Sequence, residues 1–211
     1  MTQHKAQYMD IKTEKNSYKQ KNYTDNNKKR KTPKKITPQY LHNSGLYYLE
    51  RFAASKSHFI TVMLRKVKRS CMYHKKQDYQ KCSDMVIELA DKFEKCGLIN
   101  DSIYTVSCVS SLRRKGLSQT AIIAKMNNKG INKEHTIEAL EELDNENYDS
   151  KEDAEIAAAI KLAKKKRIGV FFQGEEQNIK KSLGIFARAG FSYSTATKVL
   201  DISLDDEEMF I

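Results

Sequence analysis

Tryptophan is missing from this chain of 211 residues, proline occurs twice and glycine eight times. Proline and glycine together fall well below their usual share of about 12%. The many tight turns that a β-sandwich or barrel needs are therefore scarcely available, and the chain is expected to be all-α. Long apolar runs are absent as well. The richest stretches, Ile168 to Phe172 and the alanine-rich Ala154 to Ala163, are short or broken by Lys161, whereas a membrane-spanning helix needs about 20 apolar residues. Residues 1–35 contain no hydrophobic run of the secretory kind, and Arg30 is their sole arginine, so neither an export signal nor an organelle transit peptide is expected.

Clustered chemistry is also lacking. The cysteines, Cys71, Cys82, Cys96 and Cys108, form no C-x-x-C pair, so reduced thiols are expected rather than a zinc or redox site. Cys71 and His74 have a ligand-like spacing, but only the lone Cys82 is at hand to join them, too few for a metal site. The histidines, His4, His42, His58, His74 and His135, are scattered and none lies in an H-E-x-x-H pattern. Phosphate-binding loops need clustered glycines, and Lys129-Gly130 and Arg114-Lys115-Gly116 each hold one. These absences exclude the common catalytic arrangements, so no enzyme activity and no cofactor are expected.

What the chain has in abundance is positive charge. Lysine and arginine number 38 against 27 acidic residues, a net charge of +11. The excess is uneven: +8 over residues 1–35, +8 over 36–200 and −5 over 201–211. A basic arm thus precedes a moderately basic body and an acidic tail. Such a body attracts polyanions, either nucleic acid or an acidic protein surface.

An internal repeat organises the body. Leu49 to Ser55, followed by Phe59 and Met63, matches Leu112 to Ser118, followed by Ile122 and Met126, at an offset of 63 residues. In both, a serine precedes apolar residues at +4 and +8, which share one helix face, and the serine can cap the helix. Lys125 to Leu140 matches Ile185 to Leu200 at an offset of 60. There Gly130 and Gly190 stand where a helix ends left-handed, and Asn132 and Ser192 where the next begins. Thr37-Pro38, Asn100-Asp101 and Ser150 to Asp153 mark further helix starts.

These signals predict helices near 38–53, 56–69 and 79–96, then 101–114, 118–129 and 133–144, then 151–166, 176–189 and 193–201. Residues 70–78 and 167–175 are expected loops, with Ile168 to Phe172 a possible short strand. The domain reading is a disordered basic arm (1–36), three-helix modules at 37–97, 98–146 and 147–202, and an acidic tail (203–211). A three-helix unit of this size buries little core, so neighbours must stack. An elongated, curved array of tandem helix-turn-helix-like modules is the expected architecture, and it offers side surfaces rather than a deep pocket.

Direct reading of DNA by the third helix of a module is the competing use of such a fold. Charge opposes it. The helix at 133–144 carries Glu134, Glu138, Glu141 and Glu142 against Lys133, a face that phosphates would repel. The helix at 79–96 is equally mixed; only 193–200, with Lys198, escapes. Cations gather instead toward the ends of first and second helices: Arg65, Lys66, Lys68 and Arg69; Arg113, Arg114 and Lys115; Lys164, Lys165 and Arg167; Lys180, Lys181 and Arg188. Solvated helix ends that complement the C-terminal dipole would give the same pattern; a shared binding surface is the functional alternative.

The ordered series Gly97-Leu98-Ile99-Asn100-Asp101-Ser102-Ile103-Tyr104, Leu112-Arg113-Arg114-Lys115-Gly116-Leu117-Ser118, Lys129-Gly130-Ile131 and Ala189-Gly190-Phe191-Ser192 resembles the RecX family, the regulatory proteins of the RecA recombinase. The resemblance covers about 37–202. It implies tandem three-helix modules in a curved protein that lodges in the groove of the RecA–DNA filament, limits filament growth, and so restrains strand exchange and the SOS coprotease activity. It also implies a bacterial cytoplasm. The chain departs from the family at Thr105, where the family has alanine, and in an extended linker around 70–78; arm and tail lie outside the match. The β-branched Thr105 is expected to weaken helix packing.

On this basis the expected function is a monomeric, non-enzymatic regulator of the RecA filament, with Arg113, Arg114 and Lys115 foremost among the contacts and Tyr104 and Leu112 in the core. The alternative is a nucleic-acid-binding protein acting without RecA.

Overall fold

A computed structural model of the chain describes residues 32–203. Among them lie nine α-helices: α1 (Pro38–Leu49), α2 (Lys56–Tyr73), α3 (Tyr79–Lys95), α4 (Asp101–Arg114), α5 (Gln119–Asn127), α6 (Lys133–Asn147), α7 (Lys151–Lys166), α8 (Ile179–Arg188) and α9 (Tyr193–Asp201). A single 3₁₀ turn, Gly169–Phe171, separates α7 from α8, and there is no strand among the described residues. The fold is all-α. No described helix is long and apolar enough to cross a membrane.

Each helix starts on a polar side chain that accepts a hydrogen bond from the backbone of the first turn. The caps are Thr37, Ser55, Asp78, Asn100, Ser118, Asn132, Ser150, Asn178 and Ser192. Such a cap satisfies an otherwise orphaned N–H and stabilises a helix by about 1 kcal/mol. Helix ends are equally explicit: Gly130 and Gly190 adopt φ of +74° and +85°, the left-handed region in which a side chain would be strained.

Buried apolar side chains gather in three clusters. The first joins Ile36 and Leu41 to Phe59, Met63 and Val67 of α2 and Val86, Ala90 and Phe93 of α3, with the Phe59 and Phe93 rings 5.6 Å apart. The second holds Tyr104 and Val109 of α4, Ile122 and Met126 of α5, Ile131, and Ala139 and Leu140 of α6. The third packs Ile156, Ala159, Ile160 and Ala163 of α7 against Phe186, Phe191, Ala196 and Val199. Each fully buried large side chain stabilises the fold by about 1.5–3 kcal/mol. The second cluster is small for an independent core, which makes its connections to either side important.

Those connections repeat. Ser55 Oγ donates to the Lys129 carbonyl just before Gly130, and Ser118 Oγ donates to the Ala189 carbonyl just before Gly190, at 2.7 Å. One residue further on, Lys56 N–H donates to Asp101 Oδ1 and Gln119 N–H to Glu155 Oε1, both at 2.8 Å. The start of α2 is thus clasped by the second helical triplet just as the start of α5 is clasped by the third. The close approach needs the glycines: a Cβ on Gly130 would collide with Ser57, and one on Gly190 would lie 2.8 Å from Ser118 Oγ.

Several boundaries differ from expectation. Helix α1 stops at Leu49, where Arg51 and Phe52 N–H both turn back to the Tyr48 carbonyl. Helix α2 continues to Tyr73 because Ser70-Cys71-Met72-Tyr73 contains no breaker. Helix α6 extends to Asn147, and α8 begins only after its cap Asn178. Ile168 to Phe172 is no strand: Ile168 enters the third cluster and the rest forms the 3₁₀ turn. Residues 34–36, expected in the arm, are held against the α2–α3 turn; Ile36 is buried, and its N–H and carbonyl both bond the Gln77 side chain, at 3.0 and 2.9 Å. Thr105 is also buried, and its Oγ1 donates to the Asp101 carbonyl at 2.6 Å, so the hydroxyl is satisfied within its own helix. The arm over 1–31 and the tail over 204–211 lie outside the described residues.

Candidate functional site

Of the cations expected on a binding surface, Arg113 points the other way. It lies four residues after the buried Val109 on the inward face of α4, and it is only 5% exposed. Its Nε and Nη2 donate to Asp144 Oδ1 and Oδ2 at 3.0 and 2.8 Å. Its Nη1 donates to Glu155 Oε1 at 2.7 Å and to the Leu117 carbonyl at 3.1 Å. Burial alone would lower the proton affinity of this guanidinium; the bonds to Asp144 and Glu155 outweigh it and hold the pKa above its ordinary value. Arg113 is therefore a structural centre tying α4, α6 and α7 together. The expectation that it contacts a partner is corrected: a side chain so enclosed cannot reach one.

Its neighbours do face solvent. A helical step of 100° per residue carries Arg114 and Lys115 out of the core, and both are exposed. Gly116, at φ +76°, then lets the end of α4 press against α7, where an added Cβ would lie 2.8 Å from Lys161 Cβ and 2.9 Å from the Ala158 carbonyl. This brings Arg114 and Lys115 beside Lys161, with Lys164 and Lys165 following at helical spacing on α7. The Lys164 ammonium stands 5.7 Å from the centre of the Phe171 ring. A shallow groove of about 220 Å³ runs along this junction, lined by Ser110, Arg114, Asn147, Tyr148 and Lys161, with the Arg113–Asp144 pair at its floor.

The other expected cations lie elsewhere. Arg65, Lys68 and Arg69 are exposed on one face of α2, and Lys66 is half-buried. On α8, Lys180, Lys181 and Arg188 are exposed, with Arg188 reaching back across Gly184. The repeat makes Arg65, Asn128 and Arg188 equivalent positions, so the middle triplet offers no charge on this helix face there. Its exposed cations are Lys125 at a different position on α5, Lys133 at the start of α6, and the adjacent pair Arg114 and Lys115 at the end of α4. The sequence grouping therefore resolves into three patches: those on α2 and α8 share one equivalent position of the repeat, and the α4–α7 patch, which draws on two helices, lies elsewhere in it. Arg167, exposed and left-handed at φ 55°, closes α7.

Ion pairing separates structural from available cations. Lys56 bridges Asp91 and Glu94, Lys151 meets Glu141, and Lys198 meets Glu152. The Lys198 contact occupies the one cation of the third-helix face that charge alone had left open to DNA. By contrast, Arg65, Lys68, Arg69, Arg114, Lys115, Lys165, Lys180, Lys181 and Arg188 make no ion pair among the described residues. The bond between Lys129 and Tyr104 was also missed by sequence reasoning. The Lys129 ammonium donates to the Tyr104 hydroxyl at 2.9 Å, which raises the lysine pKa, and burial raises that of the tyrosine.

Comparison with known proteins places this arrangement in context. No family model matches the chain. It is 38% identical over 174 residues to the regulatory protein RecX of Myxococcus xanthus, a match covering 81% of this chain and 89% of that protein. The regulatory protein RecX of Agrobacterium fabrum is 22% identical over 80% of this chain and 86% of its own length. Among solved structures, RecX from Lactobacillus salivarius superposes with a TM-score of 0.55 at 19% identity, covering 82% of this chain and 97% of that one; that likeness concerns the fold.

Proposed function

The chain belongs to the RecX family of regulatory proteins, and from that premise we propose that it binds the filament that RecA forms on DNA and restrains its growth. By doing so it modulates recombination, DNA repair and the SOS response in a bacterial cytoplasm. The action is binding, not catalysis. Triplets at 37–97, 98–146 and 147–202 act as successive modules of a curved, monomeric array, and affinity is summed over several weak contacts. The observation that carries this reading is the α4–α7 patch: Arg114 and Lys115, exposed and unpaired among the described residues, held beside Lys161 by the close packing at Gly116. Complementary charge of this kind steers association and fixes register on an acidic protein surface. Occupying neighbouring protomers of an assembled filament then alters its growth or lifetime by mass action.

The test is a titration of DNA-dependent ATP hydrolysis by RecA. The protein should inhibit at concentrations far below those that coat the DNA. Arg114→Glu with Lys115→Glu should raise the half-inhibitory concentration about tenfold, as the loss of ~1.4 kcal/mol of interaction implies, with helicity unchanged. Undiminished inhibition by that variant rejects the patch, and inhibition only at DNA-saturating amounts rejects the filament reading.

A further inference from the structure

The far end of the α2–α3 hairpin carries a second surface that this reading does not use. No acidic residue occurs between Glu50 and Asp78. Along α2 the outward positions run Thr61, Arg65, Lys68, Arg69 and Met72, and the helix gives way to Lys75-Lys76 in the turn. The turn is rigidly held: the buried Ser70 donates to the Lys34 carbonyl at 2.7 Å and to Gln77 Oε1 at 3.1 Å, and Gln77 clasps Ile36 from both sides. That anchoring brings the exposed Lys34 and Lys35 to the same end. Cations from three separate stretches of sequence thus converge there. Asp78, the nearest acid in sequence, is occupied as the cap of α3, accepting from Lys81 N–H at 3.0 Å.

Two aromatic rings stand in this field. Tyr73 is 56% exposed and Tyr79 is 46% exposed, one on each side of the turn. Tyr73 meets the His74 ring edge to face, with centroids 4.9 Å apart. Neither tyrosine belongs to the first core cluster or packs against it, so a demand of folding does not account for them. Aromatic faces on a cationic track are what unpaired bases and their phosphates require: each stacked base contributes about 1–3 kcal/mol, with the charges following the backbone. A duplex keeps its bases stacked on one another, out of reach of such rings. An anionic bilayer would call for an apolar helix face, whereas here Met72 is flanked by Arg65, Lys68 and Arg69.

We propose that the α2–α3 turn, with Tyr73 and Tyr79 as stacking platforms and Arg65, Lys68, Arg69 and Lys75 as phosphate contacts, binds single-stranded nucleic acid directly. This goes beyond the filament reading and stands without it. The experiment is fluorescence anisotropy of the full chain with a labelled oligothymidylate of about 16 nucleotides, in the absence of any recombinase. Tyr73→Ala with Tyr79→Ala should weaken binding by at least about thirtyfold while leaving its salt dependence and the circular dichroism spectrum unchanged. Lys68→Glu with Arg69→Glu should weaken binding and lower the salt slope by about 1–2. Arg114→Glu with Lys115→Glu should bind the oligonucleotide like the parent, so that failure here is separable from failure of the filament reading. Unaltered affinity of the tyrosine variant would overturn the proposal, as would equal or tighter binding to a duplex of the same length or to anionic lipid vesicles.

Discussion

Arg113 and Asp144 meet through two parallel hydrogen bonds, Nε to Oδ1 at 3.0 Å and Nη2 to Oδ2 at 2.8 Å, with both side chains only 6% exposed. A pair so enclosed is costly to break from one side, because the survivor is left charged and unsatisfied; one-sided removal typically costs 3–5 kcal/mol. Arg113→Ala should therefore lower the melting temperature by about 10 °C, and Arg113→Met with Asp144→Leu should recover most of that loss. Thermal melts followed by circular dichroism decide it. If Arg113→Ala melts like the parent, the pair is not the joint between α4, α6 and α7 described above. The same measurement separates Arg113 from Arg114, whose exposed side chain should be replaceable within about 0.5 kcal/mol.

The serine hydroxyls at the joints do two jobs each. Ser118 Oγ accepts from Ala121 N–H at 3.2 Å as helix cap and donates to the Ala189 carbonyl at 2.7 Å; Ser55 accepts from His58 N–H at 3.2 Å and donates to the Lys129 carbonyl. Ser55→Ala and Ser118→Ala should each cost about 1–2 kcal/mol. Because the two joints share no partner, the double variant should lose the sum of the single losses. Urea unfolding of the three variants measures this, and a marked departure from additivity would show that the joints are coupled.

That pair of serines also marks how far the sequence could be read. Their spacing to Phe59 and Ile122 announced helix caps, and Gly130 and Gly190 announced helix ends, since both follow from local backbone chemistry. The bond that joins serine to the carbonyl before each glycine spans 74 and 71 residues, and no local pattern encodes it. Arg113 shows the same limit. Its four-residue step from Val109 pointed inward, but the neighbouring Arg114 and Lys115 made the trio look like one cluster, and its partners Asp144 and Glu155 lie 31 and 42 residues away. Ile36 entered the core from a segment that charge had assigned to the arm. Tyr73 falls in the loop expected over 70–78 and Tyr79 opens the helix expected at 79–96; only the folded turn sets both among cations.

Two glycines inside helices should answer the same substitution with opposite sign. At Gly45 an added Cβ would lie 2.8 Å from Phe93 Cε2 and 3.0 Å from Phe59 Cζ, two rings locked in the first core. Gly45→Ala should destabilise by about 1–3 kcal/mol despite the better helix propensity of alanine. At Gly184 the nearest atom is Arg188 Nη1 at 3.3 Å, the far end of a flexible chain. Gly184→Ala should stabilise by up to about 1 kcal/mol. Paired chemical-denaturation curves test the contrast, and equal shifts would refute it.

Alkaline pH should loosen the middle triplet before its neighbours, because Lys129 and Tyr104 both hold their protons more tightly in the fold. For Tyr104 the cause is chiefly burial; for Lys129 it is chiefly the 2.9 Å hydrogen bond to the Tyr104 hydroxyl. A raised folded pKa gives stability that is complete below the unfolded value and is lost as pH climbs through the folded one. With unfolded values near 10 for tyrosine and about 10.4 for lysine, the loss should begin above pH ~10 and be absent between about pH 7 and 9. Tyr104→Phe removes one titrating group and the acceptor of the other, so its urea midpoint should fall less than that of the parent between about pH 9 and 11. The Lys129 carbonyl is also the acceptor for Ser55, so release of its ammonium should be felt at the joint with α2. Hydrogen exchange at His58 N–H, the amide capped by Ser55, should accelerate in the same pH window beyond the intrinsic rate. An alkaline response that is identical in parent and Tyr104→Phe would show that the Lys129–Tyr104 bond is not its source.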